Sequence, residues 1–262
     1  MAYEFIKFEV KEHVAYITLN NPQKKNPVPT PAKKELIRLF DTCDFDDDIR
    51  LVVIRGAGGC FSAGGDLNAM RDRLERGERG TRYNCRLGSE MNLRLRNVKK
   101  PVIACIEGAI AGAGMSLALS CDFQIAAADT KCTLAFVNIG YVPDSGATWL
   151  VTKAVGQVRA TELFMSGKRF SGQQAADWGL FTEAVPPEQL EERLAKYIDK
   201  YSHGPTVAYG NIKTLINRCV YGDWSTGTYS EVELQGECEQ TEDFREAVFA
   251  FFDKRNPEFK GK

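Results

Sequence analysis

Between Glu107 and Trp149 lie two glycine-rich turns, each opening a helix-like segment, with an apolar strand between them. The first turn, Gly108 to Gly114, is built almost wholly of Gly and Ala. Backbone this bare can bring N–H groups against a ligand at a helix N-terminus, where the dipole favours negative charge. The second, Val142-Pro143-Asp144-Ser145-Gly146, places one carboxylate on an otherwise apolar loop. A seat for an oxyanion beside a lone carboxylate is a proton-transfer site in outline. Taken alone, Pro143–Gly146 is also a good type I turn sequence, and Asp144 is then only a turn residue.

The flanking segments must position these two turns. Val14–Leu19 reads as a strand stopped by Asn20-Asn21-Pro22, and the proline-rich loop 27–31 precedes a helix over about 32–44. Leu51–Arg55, Pro101–Ile106 and Phe123–Ala127 are short, continuously apolar strands. The stretch 70–80 mixes both charge signs and reads as a solvated helix or a mobile loop. Beyond Val158 the pattern turns helical, over 159–166, 171–178, 187–201, 206–218 and 229–252. Strands alternating with helices indicate β-α units and a largely parallel sheet, followed by a helical region. A soft boundary falls near 195–205, giving a core over 1–200 and a helical C-terminal region over 201–262.

At 262 residues, 44% of them hydrophobic, the chain can bury a large core. Its net charge of −1 and mixed charge pattern argue against nucleic acid as a partner. No stretch approaches the roughly 20 apolar residues of a membrane span, and MAYEFIKFEV lacks a signal-peptide apolar region; a cytoplasmic location is expected. The eight cysteines are scattered, without C-x-x-C, and only two histidines exist, so neither a metal site nor a disulfide framework is expected.

Six segments, in this order, resemble the crotonase (enoyl-CoA hydratase/isomerase) superfamily: Val14–Pro22, Phe61-Ser62-Ala63-Gly64-Gly65-Asp66-Leu67, the glycine turn, Ser120-Cys121-Asp122, Pro143–Trp149, and the Phe-Phe-Asp-Lys-Arg tail at 251–255. The resemblance implies a spiral of repeated β-β-α units, a helical C-terminal trimerisation region, and a homotrimer or homohexamer. It implies an acyl-CoA thioester as substrate, with no cofactor beyond the CoA that the substrate carries. Matched residue by residue, the oxyanion-hole donors are the N–H groups of Ala63 and Ala113. The CoA contacts are Lys24 or Lys25, Ala63, Asp66, Leu67, Phe251 and Lys254, although Asp66 is equally placed to cap a helix. Asn26-Pro27-Val28 departs from the family's usual loop.

The two glutamates that the family's hydratases use fall here on Ser116 and Phe136. Neither side chain can do a carboxylate's work near neutral pH. The acid of the family's isomerases falls on Asp144, and Pro143–Trp149 looks most like the phenylacetate-pathway isomerases. One carboxylate suffices to move a double bond or rearrange a ring epoxide: it removes a proton, an enolate forms in the oxyanion hole, and the proton returns elsewhere. An apolar pocket around Asp144 is expected from Phe136, Ile139 and Trp149, with Ser116 alongside. A hydratase, dehalogenase or ring hydrolase built on Asp144 is the alternative within the family. Outside it stand an acyl-CoA-binding protein without activity and a serine hydrolase. For the last, Gly114-Met115-Ser116-Leu117-Ala118 approximates a nucleophile elbow, with His13 or His203 as the needed base.

Overall fold

A computed structural model describes residues 3–204, 206–220, 232, 235–236 and 238–258. Strands β1 (Ile6–Lys11) and β2 (Val14–Leu19) form an antiparallel hairpin. The sheet then grows in parallel through β3 (Leu51–Gly56), β4 (Val102–Ile106), β6 (Phe123–Ala127) and β9 (Glu183–Val185). A smaller sheet joins β5 (Ala109–Ala111), β7 (Lys131–Thr133) and β8 (Arg169–Ser171).

Period-two alternation divides the core. Val52 and Ile54 of β3, with Val102, Ala104 and Ile106 of β4, face the main core under α1 (Thr30–Phe45), α3 (Thr81–Asn97) and α4 (Ala113–Leu119). Leu51, Val53, Ile103, Cys105 and Ile125 face the opposite side, which α7 (Leu190–Ser202) covers with Leu190 and Leu194. Strands buried on both faces need no polar alternation, which is why they read as continuous apolar runs.

The structure corrects several expectations. The stretch 81–97, without assignment in the sequence, is a 17-residue helix. Its buried face carries Thr81, Cys85, Gly88, Ser89 and Asn92 beside Leu87, Met91 and Leu95, so small and polar side chains mute its hydrophobic period. Helix α2 (Leu67–Glu75) takes up the first half of the charged stretch and ends before Gly77. The helix expected at 159 begins at 147 as α5 (Ala147–Ser166), broken by a kink at Gly156 (φ 74°, ψ 165°). Strands β5, β7, β8 and β9 have three residues each, too few to show a period.

Helix α6 (Gly172–Asp177) is held by a capping box between Ser171 and Gln174. Two further helices are α8 (Thr206–Val220) and α9 (Glu242–Asp253). The start of the helix expected over 229–252 lies outside the described residues. The buried Lys213 of α8 is paired with Asp122 Oδ2 at 2.8 Å; Asp122 Oδ2 also accepts from the Val102 N–H, tying α8 to the head of β4. No described helix is long and apolar enough to cross a membrane.

Candidate active site

Asp144 is 8% exposed and is the only buried carboxylate among the described residues. Its loop is shaped by a turn displaced one residue from the expected one. The Ala147 N–H donates to the Asp144 carbonyl (3.0 Å), and Ser145 and Gly146 between them both have positive φ (56° and 85°). That is the type I′ pattern rather than type I, and it holds a serine in the left-handed region. Asn92 of α3 stabilises this conformation by donating Nδ2–H to the Ser145 carbonyl (2.8 Å). Ser116 Oγ donates to the Asp144 carbonyl (3.2 Å), pinning the loop to α4.

The carboxylate has one side-chain partner. Oδ2 accepts from the Cys85 thiol (3.3 Å), while Oδ1 is buried without a hydrogen-bond partner. Lys33 of α1 is buried nearby, its ammonium bonded to the carbonyl and the side-chain oxygen of Asn84 (2.9 Å each). Burial pushes the Lys33 ammonium below its ordinary range, and the Asp144 charge opposes that. Tyr141 completes the wall: its ring stacks on Phe244 of α9 at 3.9 Å, and its hydroxyl bonds to Thr81 Oγ1 (2.9 Å). Burial raises the Tyr141 phenol far above its ordinary range, so it stays neutral. Phe136 is buried with its ring 3.8 Å from where a Gly112 side chain would begin. Ile139 ends a 3-10 turn (Val137–Ile139), and Trp149 lies in the first turn of α5; both are half-buried against the main core.

Of the two N–H groups expected to face an oxyanion, one has an acceptor within the protein. The Ala63 N–H is committed to the Lys25 carbonyl at 2.8 Å. Two residues on, the Gly65 N–H has no acceptor among the described residues, and neither does the Ala113 N–H at the first turn of α4. Gly64 brings these two loops together. At φ 84°, a Cβ there would stand 2.5 Å from the Ala111 carbonyl oxygen and 3.0 Å from the Ala113 nitrogen. Asn26, buried and at φ 52°, holds the loop in place: Nδ2 donates to the Ala57 and Cys60 carbonyls (2.8 and 2.6 Å), and its own carbonyl accepts from Ser62 Oγ (2.7 Å).

Comparison with known proteins places this arrangement. Residues 9–262 match the model of the family described as enoyl-CoA hydratase/isomerase. The chain belongs to that family. Trans-2-decenoyl-[acyl-carrier-protein] isomerase of Streptococcus mutans is 33% identical over all of both chains. The 1,2-epoxyphenylacetyl-CoA isomerase of Escherichia coli is 34% identical over 99% of each. The crystal structure of an enoyl-CoA hydratase from Mycobacterium avium subsp. paratuberculosis superposes with a TM-score of 0.90 at 27% identity, covering 99% of this chain and all of the other. The fold is therefore the crotonase fold with its helical C-terminal region.

Within this family member, the residues expected to hold CoA form two groups. Asp66 caps α2 by accepting from the Ala69 N–H (3.1 Å), and Lys24 Nζ stands 3.9 Å from its second oxygen; Leu67 opens the helix. Lys25 is exposed, its carbonyl holding Ala63. Phe251 and Lys254 are exposed at the end of α9. That helix packs along α2, with Arg71 over the Phe252 ring at 4.1 Å. No hydrogen bond or ion pair joins the two groups among the described residues.

A cavity of about 360 Å³ lies elsewhere, between α8 and the ends of β4 and β6. Its carboxylate, Asp122, is consumed by Lys213 and the Val102 N–H. His13 Nδ1 bonds to the Asp48 carbonyl and His203 Nδ1 to the Asp199 carbonyl, whereas the partners of the Ser116 hydroxyl are the Gly112 and Asp144 carbonyls and no histidine. Lys33, Cys85, Asn92 and Gly65 were not singled out from sequence. Only Gly65 carried a signal, lying inside the recognised Gly-Gly-Asp motif; the others sit on helix faces whose neighbours are set by packing.

Proposed function

We propose that this protein is an acyl-thioester isomerase that moves a double bond, or rearranges a ring epoxide, through an enolate. The observation that carries the reading is Asp144, the one buried carboxylate among the described residues, with one oxygen unpartnered and its carbonyl held by Ser116 of α4. Gly65 and Ala113 are the proposed oxyanion donors, in place of the Ala63 and Ala113 pair. Negative charge on the thioester oxygen is stabilised by these two preorganised N–H groups, which makes the α-proton acidic enough for a carboxylate to remove. Asp144 takes the proton and returns it to another carbon, so no second acid is required. At the positions of the hydratase glutamates stand Ser116, whose hydroxyl is used in bracing the Asp144 loop, and the apolar Phe136. Addition of water by two acids has no second acid here.

The relatives bear isomerase names with both acyl-carrier-protein and CoA thioesters, and hydratase names as well. The proposed substrate is accordingly an unsaturated acyl thioester, with CoA held by Lys24, Lys25 and Leu67 at α2 and by Phe251 and Lys254 at α9. A soluble, cytoplasmic homotrimer or homohexamer is the proposed working form.

The test is turnover of a 3-enoyl-CoA, read as the absorbance of the conjugated 2-enoyl thioester, with deuterium uptake from D₂O followed by mass spectrometry. Wild type is expected to turn over, and Asp144→Asn to lose about a hundredfold to ten-thousandfold while still binding CoA. Retained turnover in Asp144→Asn would refute the assignment.

A further inference from the structure

We propose that Lys33 is a positioning residue for Asp144: its buried ammonium is the counter-charge that the carboxylate lacks among its hydrogen-bond partners. This rests on the isomerase reading of Asp144.

Lys33 is 2% exposed, among the most completely buried long side chains of the protein. Both of its hydrogen bonds go to neutral oxygens of Asn84. Its hydrogen-bonding capacity is thus largely met while its charge is not. Asp144 is the complementary case: Oδ1 has no partner, and Oδ2 has only a thiol. A buried ion without an opposite charge is costly and tends to neutralise. Each of these two groups supplies what the other lacks.

The packing that brings them together is specific. Gly88 of α3 has no side chain, and a Cβ there would stand 3.3 Å from Lys33 Nζ and would collide with Ser145 Oγ. The ammonium and the residue that follows Asp144 therefore converge on one point of α3. Burial pushes the Lys33 ammonium down most, the Asp144 charge and then the Cys85 thiol push it up, and Arg73 of α2 adds to the lowering; the ammonium and the Asp144 carboxylate act on each other across more than an ion-pair contact. Tyr141, a neutral phenol bonded to Thr81, and Glu239, which accepts from the Thr81 N–H, stand at the start of α3. Of the other buried cations, Lys213 is matched by Asp122, and Arg96 and Lys100 bond to Asn217 and the Asp46 carbonyl.

The sign follows from Coulomb attraction. A positive charge favours the ionised carboxylate, so its loss demands a higher pH before Asp144 can act as base. In Lys33→Met the acid limb of the kcat/KM profile is expected to move up by about one pH unit or more, with Lys33→Arg keeping the wild-type limb. The reciprocal measurement needs no catalysis. The Lys33 ammonium, followed by ¹⁵N NMR, should titrate at lower pH in Asp144→Asn than in wild type, because linkage is mutual.

An unmoved acid limb in a folded Lys33→Met, whatever its rate, would overturn the proposal and leave Lys33 as a brace between α1 and α3. So would a Lys33 titration identical in wild type and Asp144→Asn, which decides the matter if Lys33→Met fails to fold. Equal turnover by wild type and Asp144→Asn would refute the shuttle and, with it, the role assigned to the pair; the NMR comparison would still report the charge coupling by itself.

Discussion

Gly64 and Ser116 show how single residues separate competing chemistries. Gly64 combines a positive φ with a contact that leaves no room for a methyl group against the Ala111 carbonyl and the Ala113 nitrogen. Gly64→Ala is expected to destabilise the fold by about 1–3 kcal/mol and to spread the two proposed oxyanion donors. Turnover should fall about a hundredfold, with CoA affinity changed much less, because the donors act on charge that develops during reaction. Parallel kinetics and CoA titration check this. Ser116 is fully buried and used in bonding the Asp144 carbonyl, with no histidine to activate it. Ser116→Ala should therefore retain turnover with a modest loss of thermal stability, whereas loss of a nucleophile would abolish activity.

At the scale of elements, α3 supplies much of what surrounds Asp144. Its inner face gives a thiol to the carboxylate, an amide to the strained Ser145, and a gap at Gly88. A helix with so polar an inner face looks unpromising in a hydrophobic-period reading, yet Thr81, Cys85 and the Asn92 Nδ2 group meet partners on the 141–145 loop, while Ser89 Oγ and Asn92 Oδ1 stay buried without one. The Lys213–Asp122 pair plays a structural part on α8. Replacing Asp122 by Ala leaves a buried ammonium uncompensated and removes an acceptor of the Val102 N–H. The expected cost is about 3–5 kcal/mol in chemical denaturation, with loss of α8 amide protection in hydrogen exchange before the sheet opens.

For the whole molecule, the exposed apolar side chains of α8 are conspicuous, with Ile212 and Ile216 among them lining the cavity. Val207, Ile212, Leu215 and Ile216 are exposed, Leu215 by 59%. A row of large apolar side chains on one helix matches the proposed role of the C-terminal region in joining subunits. Light scattering of wild type should give the mass of a trimer or a multiple of it, and Leu215→Glu should shift that mass towards the monomer. Scattering at the monomer mass for wild type at micromolar concentration would count against this. The shared scaffold itself does not choose the reaction: a hydratase superposes on the chain almost throughout. The choice rests on which few side chains surround one carboxylate.

The sequence by itself determined the family, the apolar strands β2, β3, β4 and β6 and the cap at Asp66. These are local signals: runs of buried residues, a capping side chain, and motifs whose spacing survives in a single chain. Tertiary structure alone decided the rest. The positive φ of Ser145 and the commitment of the Ala63 N–H to Lys25 depend on partners far along the chain. So does the approach of Lys33 and Cys85 to Asp144, across 111 and 59 positions of sequence. No local pattern encodes such a meeting, because it is the sum of how three helices and a loop pack on one sheet.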